Sequence, residues 1–120
     1  MAKGKFFYGI TTSTNNPNKA ALPLVLASTA LDEGHDILVW FAAEGALLTK
    51  KGNAEKMKSP IIGDIGELLK KVIHLGAVVG VCGTCTGFYG IDEPDLVEGI
   101  KKQTALWAVQ TSVGRNCLTF

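Results

Sequence analysis

The sequence predicts an α/β fold in which helices cover both faces of a mostly parallel sheet. Segments typical of strands alternate along the chain with segments whose apolar residues recur at helical spacing. Two strand segments, residues 36–43 and 77–82, are continuous apolar runs, as expected for strands buried on both faces of a parallel sheet. The length of 120 residues predicts one domain over residues 1–120.

The first predicted strand and helix occupy the N-terminal third of the chain. Residues 5–11 are aromatic and β-branched, which favours a strand. The polar residues 12–18 include several helix-capping types and precede a helix that ends at Gly34. Pro23 predicts either a distorted second turn or a later start for this helix. The apolar residues at helical spacing are Ala20, Leu24, Ala27 and Leu31.

The middle of the chain continues the alternation. After the strand at 36–43, residues 44–51 favour a short helix, and the polar residues 52–60 predict an exposed loop. Asp64 and Glu67 have the spacing of a capping box, ahead of a helix that Gly76 ends. The apolar face of that helix is Ile65, Leu68, Leu69, Val72 and Ile73.

The last third predicts two further strands and two further helices. A short helix at 83–89 follows the strand at 77–82, and residues 92–98 favour one additional turn. We expect a short edge strand at 100–103 and a final strand at 116–120. The helix between those strands carries Leu106, Val109 and Val113 and ends at Gly114.

Composition and charge exclude several function classes. The net charge is +1, and the lysines between residues 50 and 58 are interrupted by Glu55 without interleaved aromatic residues, so no nucleic-acid partner is expected. No apolar stretch reaches the length of about 18 residues that a membrane span needs. With no recognisable signal peptide and an odd count of three cysteines, we expect a cytoplasmic protein without disulfide staples and without a membrane partner.

The chain is rich in apolar residues for its size. Hydrophobic residues make up 47% of it, and the mean hydropathy is +0.22. A small domain has limited interior in which to bury them, so part of this surplus is expected at a subunit interface. The composition therefore predicts a homo-oligomer.

Candidate site residues cluster at one edge of the predicted sheet, because ligands of open parallel sheets bind at the carboxyl ends of the strands. Thr12, Ser13 and Asn15 follow the first strand, and Glu44 follows the second. Cys82 ends the third. We expect four of these residues to help bind substrate: Thr12, Ser13, Asn15 and Glu44.

The two histidines are predicted at the opposite edge, since His35 and His74 each precede a strand. A strand of five or six residues spans about 17–20 Å, so neither imidazole is expected to reach Cys82 as a catalytic base. The same separation argues against a zinc site within one chain, because Cys82 and Cys85 supply only two ligands. A zinc site whose ligands come from two subunits is kept as an alternative. We expect no bound metal and no cofactor.

The segment Cys82-Gly83-Thr84-Cys85 is the strongest functional signal. It joins a buried strand to a helix, where backbone N–H groups favour a thiolate. Gly83 leaves access to the sulfur, and with Thr84 it belongs to the predicted binding site; Cys85 follows one helical turn later. Two small buried cysteines are the alternative interpretation, but this position favours function. Cys117, in the last strand, is interpreted as a packed core thiol or an edge thiol without a chemical role.

Residues 81–91 (VCGTCTGFYGI) resemble the DsrE/DsrF-like family of sulfur-relay proteins. Similarity extends to residues 95–100, to the N-terminal strand, loop and helix, and to the ending at 117–120. The resemblance implies a three-layer α/β/α sandwich with a five-stranded parallel sheet that assembles into trimers or hexamers. It also implies that Cys82 accepts sulfur as a persulfide from a donor protein or small thiol and passes it to an acceptor thiol. Cys85 matches a second cysteine found in part of the family.

Three functions therefore follow from the sequence. The first is a sulfur carrier or sulfurtransferase with Cys82 as the catalytic sulfur and Cys85 beside it. The second is a dithiol oxidoreductase, because Cys-Gly-Thr-Cys is similar to a thioredoxin-type motif, although no convincing downstream proline accompanies it. The third is a non-catalytic subunit that binds a small ligand through residues 12–15 and Glu44, or serves in assembly.

Overall fold

The computed structural model describes residues 3–120, so Met1 and Ala2 lie outside the described residues. The strands in this range are β1 (Lys5–Ile10), β2 (Asp36–Phe41), β3 (Lys58–Ser59), β4 (Gly63–Asp64), β5 (Val78–Cys82), β6 (Lys101–Gln103) and β7 (Asn116–Thr119). The α-helices are α1 (Pro17–Asp32), α2 (Ile65–His74), α3 (Gly83–Phe88) and α4 (Ala105–Ser112). Short 3-10 helices occupy Ala43–Thr49, Ala54–Lys56 and Glu93–Asp95.

Five strands form one sheet in the order β6-β5-β2-β1-β7, and all four pairings are parallel. The predicted α/β fold with a mostly parallel five-stranded sheet is therefore confirmed. From β1 to β6 the chain crosses the sheet in one direction, and it then returns to add β7 beside β1. Because crossover connections are right-handed, this reversal places α1 and α2 on one face and α4 on the other.

The main core lies between the sheet and the pair α1 and α2. Ala20, Ala21 and Ala27 of α1 are fully buried, and their small side chains let the helix approach the strands closely. The strands contribute alternate residues to this face, as the pleat requires. Those residues are Tyr8, Ile10, Ile37, Val39, Phe41, Val79 and Val81, and they pack on Leu24, Ile65, Leu69 and Val72.

The second face of the sheet is covered in part by α4, and Val78, Cys117 and Thr119 on this face are exposed. Trp107 of this helix packs on Trp40 of β2, with ring centroids 5.8 Å apart. It also lies over Gly80 of β5, where a Cβ would come within 2.7 Å of its ring. The helix has only eight residues, and its outward side is exposed at Leu106 and Val109, as is Val113 directly after its end.

Two local expectations needed correction. Residues 52–60 are not an exposed loop, because Ala54, Met57 and Ser59 are buried and β3 pairs with β4. The predicted second strand is shorter than expected and ends at Phe41, so residues 42 and 43 leave the sheet.

Of the two alternatives for Pro23, the later helix start is wrong, because Pro23 lies inside α1, which begins at Pro17. Within residues 3–120, none of the helices combines the length and the apolar character needed to cross a bilayer.

Candidate functional site

Cys82 lies at the junction of β5 and α3, at the carboxyl edge of the sheet. It is the last residue of β5 and the N-cap of α3, with φ −60° and ψ 118°. Its side chain is half-buried, so the sulfur is neither enclosed in the core nor fully in solvent. Gly83 follows it beside the carbonyl of Gln103 on the neighbouring strand β6, where an added Cβ would meet that oxygen at 3.5 Å.

Cys85 is also half-buried and faces a second element of the carboxyl edge. The backbone N–H of Ala43 donates a hydrogen bond to its Sγ across 3.2 Å. Ala43 begins the 3-10 helix Ala43–Thr49, which packs against α3. The site is therefore built from the segments that follow two neighbouring strands, β2 and β5.

Ala43 has a left-handed backbone, with φ of +49°. This conformation costs a residue with a Cβ about 1 kcal/mol, and it persists only where the surroundings impose it. Gly45 supplies part of that constraint, because a Cβ there would overlap the carbonyl oxygen of Ile10 at the end of β1. The turn that follows β2 is consequently held tightly against the sheet, with the Ala43 amide directed at Cys85.

The two thiols have pKa values displaced in opposite directions. Burial raises the pKa of Cys82, but polar interactions with the backbone and side chains of Cys85 and Thr84 outweigh it, and the net pKa is lowered. Among the described residues, the Cys82 side chain makes no capping hydrogen bond to α3. Burial raises the pKa of Cys85. A hydrogen bond with the Cys82 thiol and the negative charges of Cys82 and Glu44 raise this pKa further, whereas the hydrogen bond from the Ala43 amide lowers it. The pair favours a thiolate on Cys82 and a thiol on Cys85.

The other predicted residues near this pair are Thr84 and Glu44. Thr84 is exposed in the first turn of α3, where it lies close enough to lower the pKa of Cys82. Glu44 is exposed next to Ala43, and its negative charge acts on Cys85. Of the predicted binding residues, Thr84, Glu44 and Gly83 therefore lie near the two sulfurs.

The loop after β1 makes its contacts elsewhere. The Ser13 hydroxyl is directed at Met57 Sδ across 3.7 Å, and Asn15 accepts a hydrogen bond from the Ser13 backbone N–H. Ser13 lines a cavity of about 270 Å³ whose lining residues include no cysteine. Thr12 is buried, and its hydroxyl has no hydrogen-bond partner among the described residues. The structure thus brings Glu44, Gly83 and Thr84 to the cysteine pair, whereas the contacts of Ser13 and Asn15 are made elsewhere.

The histidines lie at the amino edge of the sheet, as predicted. His35 immediately precedes β2, and its Nδ1 accepts a hydrogen bond from the Gly4 backbone N–H, while His74 ends α2. Across residues 3–120, no three His, Cys, Asp or Glu side chains converge as they would around a metal ion.

Cys117 of β7 is exposed and borders a groove of about 360 Å³ between α4 and the sheet. This groove also contacts Trp40 and Ala42, the residue before Ala43. Ala43 and Gly45 were not predicted as site residues, because alanine at positive φ leaves no recognisable sequence pattern and a glycine after a strand has many uses.

The chain is similar to known proteins over most of its length. The sequence model of the DsrE/DsrF-like family matches residues 4–116. An uncharacterized protein of Methanocaldococcus jannaschii is 39% identical over 100 residues, which are 83% of this chain and 84% of that protein. A second uncharacterized protein of the same organism is 31% identical over 91 residues, 76% of this chain but 33% of that longer protein.

A solved structure has the same fold. The crystal structure of the ychN protein from E. coli superposes with a TM-score of 0.80, covering 99% of this chain and 100% of that one. The two sequences are 19% identical, so this likeness concerns the fold.

Proposed function

The chain belongs to the DsrE/DsrF-like family, and from this premise we propose that it carries sulfur as a persulfide on Cys82 and passes it to an acceptor thiol. The family links the chain to sulfur relay in general terms. The observation that carries the finer proposal is the Cys82 sulfur itself: half-buried at the carboxyl edge of the sheet, with its pKa lowered by the neighbouring turn. A thiolate is the nucleophile in thiol exchange, and partial exposure lets a second sulfur compound reach it.

The transfer balances without an external oxidant or a metal ion. The Cys82 thiolate attacks the outer sulfur of a donor persulfide, the sulfur–sulfur bond of the donor breaks, and the donor leaves as a thiolate. Cys82 then holds the outer sulfur as a persulfide. An acceptor thiolate attacks that sulfur in turn, and Cys82 returns to its starting thiolate state.

The surroundings of Cys82 suit this chemistry. Neither step requires a histidine base, which agrees with His35 and His74 lying at the other edge of the sheet. Gly83 has no side chain to shield the sulfur, and Thr84 is exposed. The donor and acceptor are expected to be thiol compounds or proteins that present a cysteine. Phe88, 83% exposed on the same helix, offers such a protein an apolar contact.

Self-assembly is part of the proposal. The outward side of α4 carries Leu106 and Val109, and Val113 follows directly after the helix; these residues are 65%, 64% and 77% exposed. Their spacing along the helix makes one apolar stripe, which we call the α4 stripe. Burial of this stripe against further copies of the chain would remove the apolar area from water, and it supports the homo-oligomer expected from composition.

A loading experiment tests the carrier function. The protein is incubated with glutathione persulfide, freed of small molecules and analysed by mass spectrometry under non-reducing conditions. We expect an adduct with the mass of one sulfur atom on Cys82, unchanged in Cys117→Ser and missing in Cys82→Ser. If Cys82 remains unmodified while its thiol still reacts with an alkylating reagent, the carrier function is refuted.

A dithiol oxidoreductase is the second candidate, favoured by the interaction between the Cys82 and Cys85 thiols. It predicts that the reduced protein catalyses insulin reduction with a dithiol as the electron source. Loading by persulfide without insulin reduction would favour the sulfur carrier, and the reverse result would favour the oxidoreductase.

A further inference from the structure

Cys82 and Cys85 occupy the N-cap and the third position of α3, one turn apart. Side chains at these two positions of a helix face each other, which is the spacing that a capping box uses. Both sulfurs are half-buried, and the two thiols interact. Residues three apart in one turn are also close enough for a disulfide, which needs Cα atoms about 4.4–6.8 Å apart.

Cys85 has one contact that a packing cysteine does not require. The backbone N–H of Ala43, in the segment after β2, donates to the Cys85 sulfur across 3.2 Å, and Ala43 itself has a left-handed backbone. A hydrogen-bond donor directed at sulfur stabilises the thiolate relative to the thiol. The turn after β2 therefore holds Cys85 in place beside Cys82, and its Ala43 amide partly offsets the burial that raises the pKa of the Cys85 thiol.

We infer that Cys85 releases the sulfur stored on Cys82 as hydrosulfide and closes a Cys82–Cys85 disulfide. This inference rests on the persulfide function proposed above and gives the sulfur stored on Cys82 a second possible fate. In the relay the sulfur goes to an external thiol, whereas here it leaves as an inorganic product and the protein itself supplies the electrons.

The release step balances within the protein. Cys85 attacks the inner sulfur, Cys82 Sγ, and the bond between that sulfur and the terminal sulfur breaks. The terminal sulfur leaves as hydrosulfide with the proton that the Cys85 thiol gives up. The stored sulfur is reduced by two electrons, and the two cysteine thiols are oxidised to one disulfide.

A dithiol reductant restores the site. Two successive exchanges convert the Cys82–Cys85 disulfide into two thiols and the reductant into its own disulfide. In the first exchange the Ala43 amide stabilises Cys85 as the leaving thiolate, so the reductant is expected to form its mixed disulfide with Cys82.

The experiment follows the loaded protein after removal of the donor, in a Cys117→Ser background. Hydrosulfide is trapped with monobromobimane, and the protein is mapped for the Cys82 adduct and for a Cys82–Cys85 disulfide. We expect one hydrosulfide and one disulfide for each adduct lost. In Cys85→Ser the adduct is expected to persist about tenfold longer or more, because the neighbouring thiol acts at high effective concentration.

The outcomes separate this inference from the carrier function. An adduct that is equally long-lived with and without Cys85, with no disulfide formed, overturns hydrosulfide release and leaves the carrier function intact. No adduct in either protein refutes both. The disulfide is mapped in protein that retains both site cysteines, so the result does not depend on the folding of Cys85→Ser; Cys85→Ala serves as a second variant.

Discussion

Gly45 leaves no space for a side chain against Ile10: a Cβ at this position would overlap the Ile10 carbonyl oxygen. The same oxygen accepts a hydrogen bond from the Ala42 N–H, and the Gly45 N–H donates to the Ala42 carbonyl. The residues on both sides of Ala43 therefore contact the end of β1, Ala42 through a hydrogen bond and Gly45 through close packing. Its shape depends on a glycine that the chemistry itself never uses.

Gly45→Ala is expected to destabilise the protein by about 2 kcal/mol or more, because the overlap is with backbone and no side-chain rotation relieves it. Gly87→Ala is the matched control, since Gly87 lies in α3 with open space around its Cα. Alanine there should be neutral or stabilise by up to about 1 kcal/mol. Urea unfolding of the three proteins measures both effects, and equal stability of Gly45→Ala and wild type would contradict the close approach.

Ala43 provides a test of the left-handed turn. Ala43→Gly should leave stability within about 1 kcal/mol of wild type and on the stabilising side, since glycine adopts positive φ without a Cβ penalty. Ala43→Val should lose about 1–2 kcal/mol, because β-branched residues tolerate this conformation poorly. Ala42→Val is the control, as Ala42 has an extended backbone with φ −147° that accepts valine. Thermal unfolding measures all three, and a harmless Ala43→Val beside a harmful Ala42→Val would contradict this account.

The fold and the site differ in how far sequence could predict them. The sheet follows from patterns within single segments, such as the apolar run at residues 36–41 and the i, i+3, i+4 face of α2. Cys82 at the end of β5 follows from the same patterns. The Ala43–Cys85 hydrogen bond joins residues 42 positions apart, and it depends on where the strand β2 ends and on the fit of Gly45 against Ile10. Such tertiary contacts leave no local pattern.

The loop after β1 is a second case in which tertiary contacts could not be predicted from the sequence. Its place at the carboxyl edge was predictable, but its partners were not. Ser13 of this loop contacts the buried Met57, and Asn18 in the first turn of α1 accepts a hydrogen bond from the buried Ser59, in a segment that the sequence had suggested to be an exposed loop. The burial of Met57 is a tertiary effect, because its neighbours Lys56 and Lys58 are polar and exposed.

The pH dependence of Cys82 alkylation follows from its lowered pKa. The rate of reaction with iodoacetamide should rise through a midpoint below that of an ordinary cysteine, because the thiolate is the reactive form. Cys85→Ala removes a thiol that lowers the pKa of Cys82, so the midpoint should move upward. Thr84→Val should move it upward by less, since the Cys85 side chain contributes more than that of Thr84. A midpoint that Cys85→Ala leaves unchanged would show that the two thiols do not interact.

The α4 stripe makes the final prediction, which concerns assembly. Burying a Val or Leu side chain stabilises an association by about 1.5–3 kcal/mol, and about 1.4 kcal/mol changes a dissociation constant tenfold. Replacing Val109 with aspartate removes this contribution and adds a charge that would have to be desolvated, so the proposed oligomer should dissociate at concentrations at which we expect the wild type to remain assembled. Ile61→Asp is the control, because Ile61 is 78% exposed at the turn between β3 and β4, away from α4. Sedimentation velocity over a dilution series measures the masses. If Val109→Asp and wild type sediment alike while Ile61→Asp dissociates, the subunit contact lies at the β3–β4 turn and the stripe must face solvent for another reason.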